Sequence, residues 1–313
     1  MKPTILLDCD TGIDDALTLL YLASLVKEGH AELAAVGTVH GNVPADIGAF
    51  NTLRILELAG LPAVPVAIGA AAPMAGQARY AYGFHGADGL GDTNLPEPYG
   101  SPVDMSAPDQ IIRLARSRPG ELTLLAIGPL TNLAIALLLE PSLTGLVRQV
   151  IVMGGALEHP GNVTSHAEAN VWHDPEAAEL VFNAPWPLTL VPLDATHPTA
   201  MDGTWLDRLA AGDTTTAQLA TRILAFYVNA YRPLLDARGV VIHDALAAML
   251  AIDPSLAEYI ERPVRVELHG EHTRGTTLWD GRRGADQGHR PPLKVAVRAD
   301  VREYQERLLT SLL

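Results

Sequence analysis

The feature that most constrains the fold is a run of acidic residues directly after the first apolar segment. Asp8, Asp10, Asp14 and Asp15 place four carboxylates within eight positions, beginning where the apolar segment Ile5–Leu7 ends. Like charges this close repel one another, so a fold that gathers them needs a positive charge among them. A hard divalent cation with oxygen ligands, Ca²⁺ or Mg²⁺, meets that need.

A simpler interpretation explains only part of this run. Asp14 and Asp15 follow Gly12 in the first turn of a predicted helix, where the helix macrodipole favours negative charge. That effect does not account for Asp8 and Asp10, which lie at the end of an apolar strand. We therefore expect the acidic run to form part of a functional site.

Short apolar runs alternate with helical patterns along most of the chain. The predicted strands are Ile5–Asp8, Leu33–Thr38, Val64–Ile68, Leu122–Ile127, Val150–Met153 and Leu188–Val191. The predicted helices between them are Asp14–Glu28, Ala45–Ala59, Pro108–Arg116, Thr131–Leu139 and Pro175–Phe182. This alternation predicts an α/β fold with a mostly parallel central sheet flanked by helices. Ligands of such sheets bind outside the carboxyl ends of the strands, so the active site is expected there.

The last third of the chain is less regular. It predicts a long helix at Thr215–Leu235, a second at Val240–Ile252, and strands around Val264–Leu268 and Lys294–Val297. Arg274–Pro292 is rich in glycine and arginine and is typical of a loop. Because no repeat or low-complexity linker divides the sequence, residues 1–313 are expected to form one domain.

Composition excludes several classes of partner. The formal net charge of −14 over 313 residues argues against binding to nucleic acid or an anionic membrane, either of which requires a basic surface. The one cysteine, Cys9, excludes an internal disulfide. The longest apolar stretch, Leu122–Leu139, is broken by Gly128 and Pro129, so it does not predict a membrane span. A cytoplasmic location is expected.

Two further groups of polar residues could take part in chemistry. His243 and Asp244 begin a predicted helix; the pair is a weak signal alone, since Asp is an ordinary helix cap. Asn162, Glu168 and Asn170 suit hydrogen bonding to hydroxyls, although a polar surface loop explains them equally well. Asn42 is equally compatible with an ordinary turn. No function is predicted for His159 and several other histidines.

Together these residues resemble the inosine–uridine-preferring nucleoside hydrolase family along nearly the whole chain. The run from Asp8 to Ala16 matches the family's N-terminal signature. Further matches follow in family order at Gly41-Asn42, His85-Gly86, Gly128–Ala134, Val152–Gly155, Glu168–Asn170, Asp174–Ala178 and His243-Asp244. The resemblance implies a Ca²⁺-dependent hydrolase that cleaves the N-glycosidic bond of ribonucleosides.

The resemblance also implies roles for individual residues. The implied Ca²⁺ ligands are Asp10, Asp15, Asp244 and the backbone carbonyl of Ile127. Asp10 is the implied general base on the water held by Ca²⁺, and His243 is the implied acid for the leaving group. Asp14 and Asn42 are the implied contacts of the ribose 2′-hydroxyl and the attacking water. Asn170 and Asp244 are implied at the 3′-hydroxyl, and Asn162 and Glu168 at the 5′-hydroxyl. His85 and Met153 are the remaining implied substrate contacts.

Two departures from the family pattern bear on these expectations. Thr11 stands where the signature usually has proline, which should loosen that turn slightly. Ala169 stands where some members have an aromatic residue, so stacking on the base at that position is not expected. The preference for purine or pyrimidine is left open, as is contact of Tyr227, Tyr231 or Trp279 with the base. Family members form dimers or tetramers, so a homodimer or homotetramer is expected.

Two other classes of function remain as alternatives. Asp8 and Asp10 also resemble the nucleophile pair of haloacid-dehalogenase-like phosphatases, although Gly12 and the Asp14-Asp15 pair do not fit that motif. A protein that binds ribose or nucleosides without turnover is the second alternative. Release of phosphate from sugar phosphates favours the first, and nucleoside binding without formation of reducing sugar favours the second.

Overall fold

The computed structural model describes residues 2–235, 238–282 and 289–313. Within these residues the central sheet has eight strands. All neighbouring strands run parallel except one at an edge of the sheet, which pairs antiparallel with its neighbour. The predicted α/β fold with a mostly parallel sheet is confirmed.

The strands of the central sheet are β1 (Thr4–Cys9), β2 (Glu32–Thr38), β3 (Val66–Ile68), β4 (Leu122–Ala126), β5 (Gln149–Met153), β6 (Leu188–Val191), β9 (Ala257–Arg262) and β12 (Leu293–Ala299). They lie in the order β3-β2-β1-β4-β5-β6-β12-β9, and β9 is the antiparallel edge strand. The two-stranded pairs are β7 (Met201–Asp202) with β8 (Gly239–Val240), and β10 (Arg265–Val266) with β11 (Thr277–Leu278). The helices are α1 (Ile13–Lys27), α2 (Ala45–Leu58), α3 (Tyr82–His85), α4 (Ala107–Ser117), α5 (Thr131–Leu139), α6 (Leu143–Leu146), α7 (Ala169–His173), α8 (Pro175–Phe182), α9 (Leu193–Thr196), α10 (Gly203–Ala210), α11 (Thr215–Tyr231), α12 (His243–Ile252) and α13 (Val301–Leu312).

The predictions for the last third need correction. The helix predicted from Val240 begins at His243, because Gly239 and Val240 pair with β7. The helix predicted to reach Leu235 ends at Tyr231. Within the predicted loop Arg274–Pro292, Thr277–Leu278 forms a strand, and residues 283–288 lie outside the described residues.

The sequence predictions do not include several elements of the structure, among them β9, α13 and α10. Strand β9 alternates charged and apolar residues at an open sheet edge, so it lacks the continuous apolar run of an interior strand. Helix α13 buries Tyr304, Leu308, Leu309 and Leu312, a helical spacing that the sequence does contain. Helix α10 is short, and its apolar face is limited to Trp205, Leu206 and Leu209.

Helices α1 and α12 are the elements that bring distant parts of the chain together. Both are buried over most of their length, and they pack against each other on one face of the sheet. A helix that is apolar around its circumference belongs in an interior rather than on a surface. Their N-termini therefore meet at the carboxyl edge of the sheet, with Asp14 and Asp15 on one helix and His243 and Asp244 on the other.

None of the helices in the described ranges combines the length with the apolar character needed to cross a lipid bilayer.

Candidate active site

Four carboxylates from two helices and one strand end meet at the carboxyl edge of the sheet. Asp10 follows β1, Asp14 and Asp15 lie in the first turn of α1, and Asp244 lies in the first turn of α12. All four are buried, with at most 6% of each residue exposed. Carboxylate oxygens of Asp14, Asp15 and Asp244 lie within 4.8 Å of one another.

Backbone and side-chain amides fix two of these carboxylates. Asp15 Oδ2 accepts hydrogen bonds from the Gly12 amide at 2.9 Å and from Asn42 Nδ2 at 3.1 Å. Asp10 Oδ2 accepts from the Asn42 amide at 2.6 Å. Asn42 therefore binds both carboxylates, one through its backbone and one through its side chain. Asp10 Oδ1 is buried and has no hydrogen-bond partner among the described residues.

The turns around this cluster leave no room for larger residues. A Cβ atom on Gly41 would lie 2.0 Å from Asp10 Oδ2, and one on Gly12 would lie 2.4 Å from His85 Nδ1. Thr11, which stands at the usual proline position, bonds through its hydroxyl to that of Thr52 on α2 at 2.7 Å. This bond anchors the turn to α2, in place of the rigidity that a proline ring would provide.

The pKa values of these four carboxyl groups are raised above the ordinary value for aspartate. Burial, followed by the charge of Asp15, raises the pKa of Asp14 to about 7. Burial raises the pKa of Asp15 to about 6, and it raises the pKa values of Asp10 and Asp244 well above the ordinary range. Within the described residues, the main charged neighbours acting on these four groups are all acidic. Carboxylates packed this closely are stabilised in their ionised form by a positive charge among them.

A cation with oxygen ligands fits this arrangement. The donor set consists of carboxylate oxygens, and the unpartnered Asp10 Oδ1 lies next to the turn that carries the Ile127 carbonyl: a Cβ on Gly128 would be 3.0 Å from it. The tightest group of carboxylates, however, contains Asp14 rather than Asp10. A cation at this position would therefore face Asp14 as well as the ligands expected from the sequence.

A cavity of about 320 Å³ opens directly above the carboxylates. Its lining includes ten of the twelve site residues expected from the sequence: Asp14, Asn42, His85, Ile127, Met153, Asn162, Glu168, Asn170, His243 and Asp244. Asp10 and Asp15 are not part of the lining and are buried close to Asp14 and Asp244. A larger cavity, of about 490 Å³, lies beside Trp172 and His173 and contains none of the expected residues.

Hydrogen bonds at one end of the cavity determine which polar atoms are left for a ligand. Asn170 Nδ2 donates to the Ile127 carbonyl at 2.8 Å and to the Met153 carbonyl at 3.1 Å, which leaves its Oδ1 as an acceptor. Asn162 Oδ1 accepts from the Ala169 amide, which leaves its Nδ2 as a donor. The Glu168 carboxylate accepts from three backbone amides, those of Gly155, Asn170 and Val171.

A second group of polar side chains at the cavity is linked through hydroxyl and imidazole groups. Tyr227 lies close enough to the Asp14 carboxylate and the Tyr231 hydroxyl to shift their pKa values. The Tyr231 hydroxyl is 3.1 Å from His243 Nε2, and His243 Nδ1 is 2.7 Å from the Thr196 hydroxyl. Burial, together with neighbouring imidazoles, lowers the pKa of His243 to about 3, so its ring is neutral at pH 7.

His85 forms part of the same wall. Its Nδ1 accepts the Ile13 amide at 3.0 Å, its ring lies 5.4 Å from that of Tyr227, and burial lowers its pKa to about 3. Because Nδ1 is an acceptor, the proton of the neutral ring is on Nε2.

Several lining residues were not expected from the sequence. Phe84, Leu234, His159 and His197 also line the cavity, and the rings of the two histidines are 4.4 Å apart. Asp194 holds the His159 loop by accepting three consecutive backbone amides. No local pattern predicts this contact, because His159 and His197 come from loops that only the fold brings together. Trp279 lies under the Arg262 guanidinium and is not part of the lining.

Residues 5–306 match the model of the inosine-uridine preferring nucleoside hydrolase family. The chain belongs to this family. It is 35% identical to probable uridine nucleosidase 2 of Arabidopsis thaliana, covering 99% of this chain and 98% of that protein. It is 36% identical to the inosine-uridine preferring nucleoside hydrolase of Crithidia fasciculata, covering 100% and 98%. Among solved structures, a plant nucleoside hydrolase, the PpNRh1 enzyme, aligns with a TM-score of 0.95 at 34% identity, over 100% of this chain and 99% of that one.

Family membership confirms the resemblance and identifies the class of enzyme. This nucleoside hydrolase is a ribonucleoside N-ribosyl hydrolase. The alternative interpretation as a haloacid-dehalogenase-like phosphatase is therefore wrong. That interpretation rested on Asp8 and Asp10 alone, and Asp8 bonds to Asn132 Nδ2 at 2.8 Å within the edge of the sheet and is not part of the cavity lining.

Proposed function

We propose that this nucleoside hydrolase cleaves the N-glycosidic bond of ribonucleosides to ribose and free nucleobase in a Ca²⁺-dependent reaction. The observation that carries the proposal is the cavity, whose lining combines amide and carboxylate groups with aromatic and histidine side chains. Cleavage of such a bond gives the sugar oxocarbenium character. Buried carboxylates beneath the sugar would stabilise that positive charge.

Asp10, Asp15, Asp244 and the Ile127 carbonyl are the groups we assign to Ca²⁺, with Asp14 adjacent. An oxygen-only donor set suits Ca²⁺ better than the metals that prefer imidazole or thiolate. When bound, Ca²⁺ supplies the positive charge that keeps these carboxylates ionised and orders the oxygen atoms around it. The buried, unpartnered Asp10 Oδ1 supports the assignment, since such an atom is costly without a partner.

The sugar is assigned to the end of the cavity nearest the carboxylates. Asn170 offers Oδ1 to a ribose hydroxyl because its amide hydrogens are used by Ile127 and Met153. Asn162 offers Nδ2 as a donor, since its Oδ1 accepts the Ala169 amide. Asn170 and Asn162 therefore present one acceptor and one donor to the sugar. Glu168 fixes the backbone amides of Gly155 and Asn170 and is assigned, with Asn162, to the 5′-hydroxyl. Asp14, Asn42 and Asp244 are assigned to the other hydroxyls, and Met153 packs beside the ring.

Asp10 is proposed as the general base for the attacking water. The Asn42 amide donates to Oδ2 at 2.6 Å and so fixes the orientation of this carboxylate. Burial raises the pKa of Asp10, and a carboxylate with a raised pKa is a better proton acceptor than an ordinary one, provided that it is ionised when the water arrives.

His243 is proposed to protonate the departing base together with Tyr231. Its ring is neutral at pH 7, so the proton comes from an imidazole N–H or from the Tyr231 hydroxyl rather than from an imidazolium. The Thr196 and Tyr231 hydroxyls bond to the two ring nitrogens of His243 and so hold the ring in a fixed orientation. A histidine with an ordinary pKa would instead act as an imidazolium acid.

The test is a substrate panel assayed with and without chelator. We expect inosine, uridine, cytidine, adenosine or guanosine to release reducing sugar, and chelation followed by Ca²⁺ readdition to abolish and restore that release. Activity that survives exhaustive chelation would refute the metal dependence. Tight nucleoside binding without reducing sugar would support a non-catalytic binding protein instead. The names of the relatives point to uridine and to inosine, so the panel also decides the base preference.

We also propose that residues 1–313 act as one domain, as a homodimer or homotetramer, in the cytoplasm. Family resemblance supports the oligomer, and the continuous sheet supports the single domain. Light scattering coupled to size exclusion measures the first. A molar mass equal to one 33.3 kDa chain would contradict it.

A further inference from the structure

A buried carboxylate outside the cavity joins several of the segments that carry the proposed site. Asp174 is fully buried at the start of α8 and is not part of the cavity lining. Its Oδ1 accepts the Ala177 amide at 3.1 Å. Its Oδ2 accepts the Thr131 hydroxyl at 2.6 Å and the Met74 amide at 2.9 Å. One side chain thus connects α8, the start of α5 and the loop after β3.

The hydrogen bonds through Thr131 have a fixed direction. Its single hydroxyl hydrogen is donated to Asp174, so at His40, whose Nε2 is 3.1 Å away, the Thr131 oxygen must accept. His40 Nε2 therefore carries the proton. The other nitrogen, Nδ1, is buried without a hydrogen-bond partner among the described residues, and burial lowers the pKa of His40 to about 4. A neutral His40 ring with its proton on Nε2 is consistent with both the unpartnered Nδ1 and the lowered pKa.

Each segment held by this relay carries a residue of the proposed site. His40 lies two positions before Asn42, which bonds to both Asp10 and Asp15. Thr131 begins α5, four positions after Ile127. Asp174 lies four positions after Asn170, whose side chain bonds to the Ile127 carbonyl. None of Asp174, Thr131 and His40 lines the cavity, so the relay can act on the reaction only through these neighbours.

We propose that Asp174, through Thr131 and His40, is a positioning residue that fixes three site segments relative to one another. The proposal rests on the proposed function, because it assumes that Asn42, Ile127 and Asn170 serve the reaction. The relay is anchored on a charged acceptor, and hydrogen bonds to charged groups are shorter and stronger than neutral ones. It therefore restrains the backbone at Asn42 and at Ile127 more tightly than ordinary loop packing would.

The test uses a matched pair of substitutions at Thr131. Thr131→Val keeps the shape but removes the hydroxyl, which breaks the bonds to both Asp174 and His40. Thr131→Ser keeps the hydroxyl. We expect the valine variant to lose about tenfold or more in kcat/KM and to bind Ca²⁺ more weakly in calorimetry, since outer partners of a metal site typically carry effects of 10- to 100-fold. The serine variant should stay within about threefold of the wild type.

Thr123→Val is the control for loss of a buried hydroxyl. Thr123 lies near the start of β4, at the opposite edge of the sheet, where its hydroxyl accepts from Gln149. The Thr123→Val variant should have a lower melting temperature than the wild type, with kcat/KM and Ca²⁺ affinity unchanged. Unchanged kcat/KM in Thr131→Val, or equal losses in the valine and serine variants, would overturn the proposal.

A second variant covers the case in which Thr131→Val does not fold. His40→Leu removes the donor at the end of the relay and leaves the bond from Thr131 to Asp174 in place. It should also lower kcat/KM and Ca²⁺ affinity about tenfold, and wild-type values would overturn the proposal. If the wild-type enzyme itself released no ribose from any nucleoside, the proposed function would fail. That result is distinct from an active wild type with fully active relay variants.

Discussion

Removing the divalent cation should destabilise this nucleoside hydrolase more strongly as the pH rises. Without a cation, burial and the charge of Asp15 raise the pKa of Asp14 from 3.8 to about 7. The folded protein then retains a proton on Asp14 over a pH range in which the unfolded chain has lost it. The free energy of unfolding of the metal-free protein therefore falls as the pH rises through this range.

Proton linkage determines the sign and the size of this change in the free energy of unfolding. Below about pH 4 both states are protonated and Asp14 costs nothing. Between about pH 4 and pH 7 the loss grows, and above both pKa values it reaches roughly 4 kcal/mol, because each tenfold change in proton affinity corresponds to about 1.4 kcal/mol. For a chain of this length that is roughly 8 °C in melting temperature, at about 2 °C per kcal/mol.

The assay is thermal unfolding in chelator and in saturating Ca²⁺ at pH 5, 6, 7 and 8. We expect the Ca²⁺-induced rise in melting temperature to grow from pH 5 to pH 8, because the proposed site would bind Ca²⁺ through ionised carboxylates. Asp14→Asn is the control, since it removes the titrating group. In chelator at pH 8 this variant should melt above the wild type, and at pH 5 the difference should be less than half as large, because most of the loss develops above that pH.

Either of two results would refute this reasoning. One is a Ca²⁺-induced rise that is the same at pH 5 and pH 8. The other is a chelated Asp14→Asn variant that melts like the wild type at every pH.

Three further predictions concern single residues. Asp10→Asn should lower kcat by roughly 10³-fold or more in a reducing-sugar assay, and near-normal turnover would exclude Asp10 as the base. His243→Ala should slow nucleoside hydrolysis roughly 10²-fold more than hydrolysis of p-nitrophenyl riboside, whose leaving group needs no proton. Tyr231→Phe should show the same difference between the two substrates to a smaller extent. Equal losses on both substrates would mean that these residues are structural. Leu17→Ala, at a fully buried position on α1, should lower the free energy of unfolding by roughly 2–5 kcal/mol in urea titration, and a loss below 1 kcal/mol would contradict the tight packing of α1.

The sequence predicted the interior of the fold better than its edges. Strands buried on both faces, such as Leu122–Ala126, are apolar at nearly every position, and they can be predicted without tertiary information. The edge strand Ala257–Arg262 has one side open to solvent, so its pattern mixes charged and apolar residues. Its place in the sheet depends on pairing with β12, which lies more than thirty positions further along the chain.

The predicted site residues were brought together, but the sequence did not give their ionisation or their hydrogen-bond partners. His243 is an example. Its place at the start of a helix follows from the local sequence, whereas its neutral state depends on burial and on Thr196 and Tyr231. Similarly, the amide of Asn170 is available only through Oδ1 because the Ile127 and Met153 carbonyls use its hydrogens.

The sequence by itself determined the type of sheet, the edge at which the site lies and the acidic run that begins it, because periodicity and local charge are properties of neighbouring residues. Only the tertiary structure decided which carboxylates lie together. The packing of α1 on α12 places Asp244 beside Asp14 and Asp15, and the close turn at Gly41 places Asn42 against Asp10. These contacts arise between residues far apart in the chain, and burial at those contacts changes the pKa values on which the proposed chemistry depends.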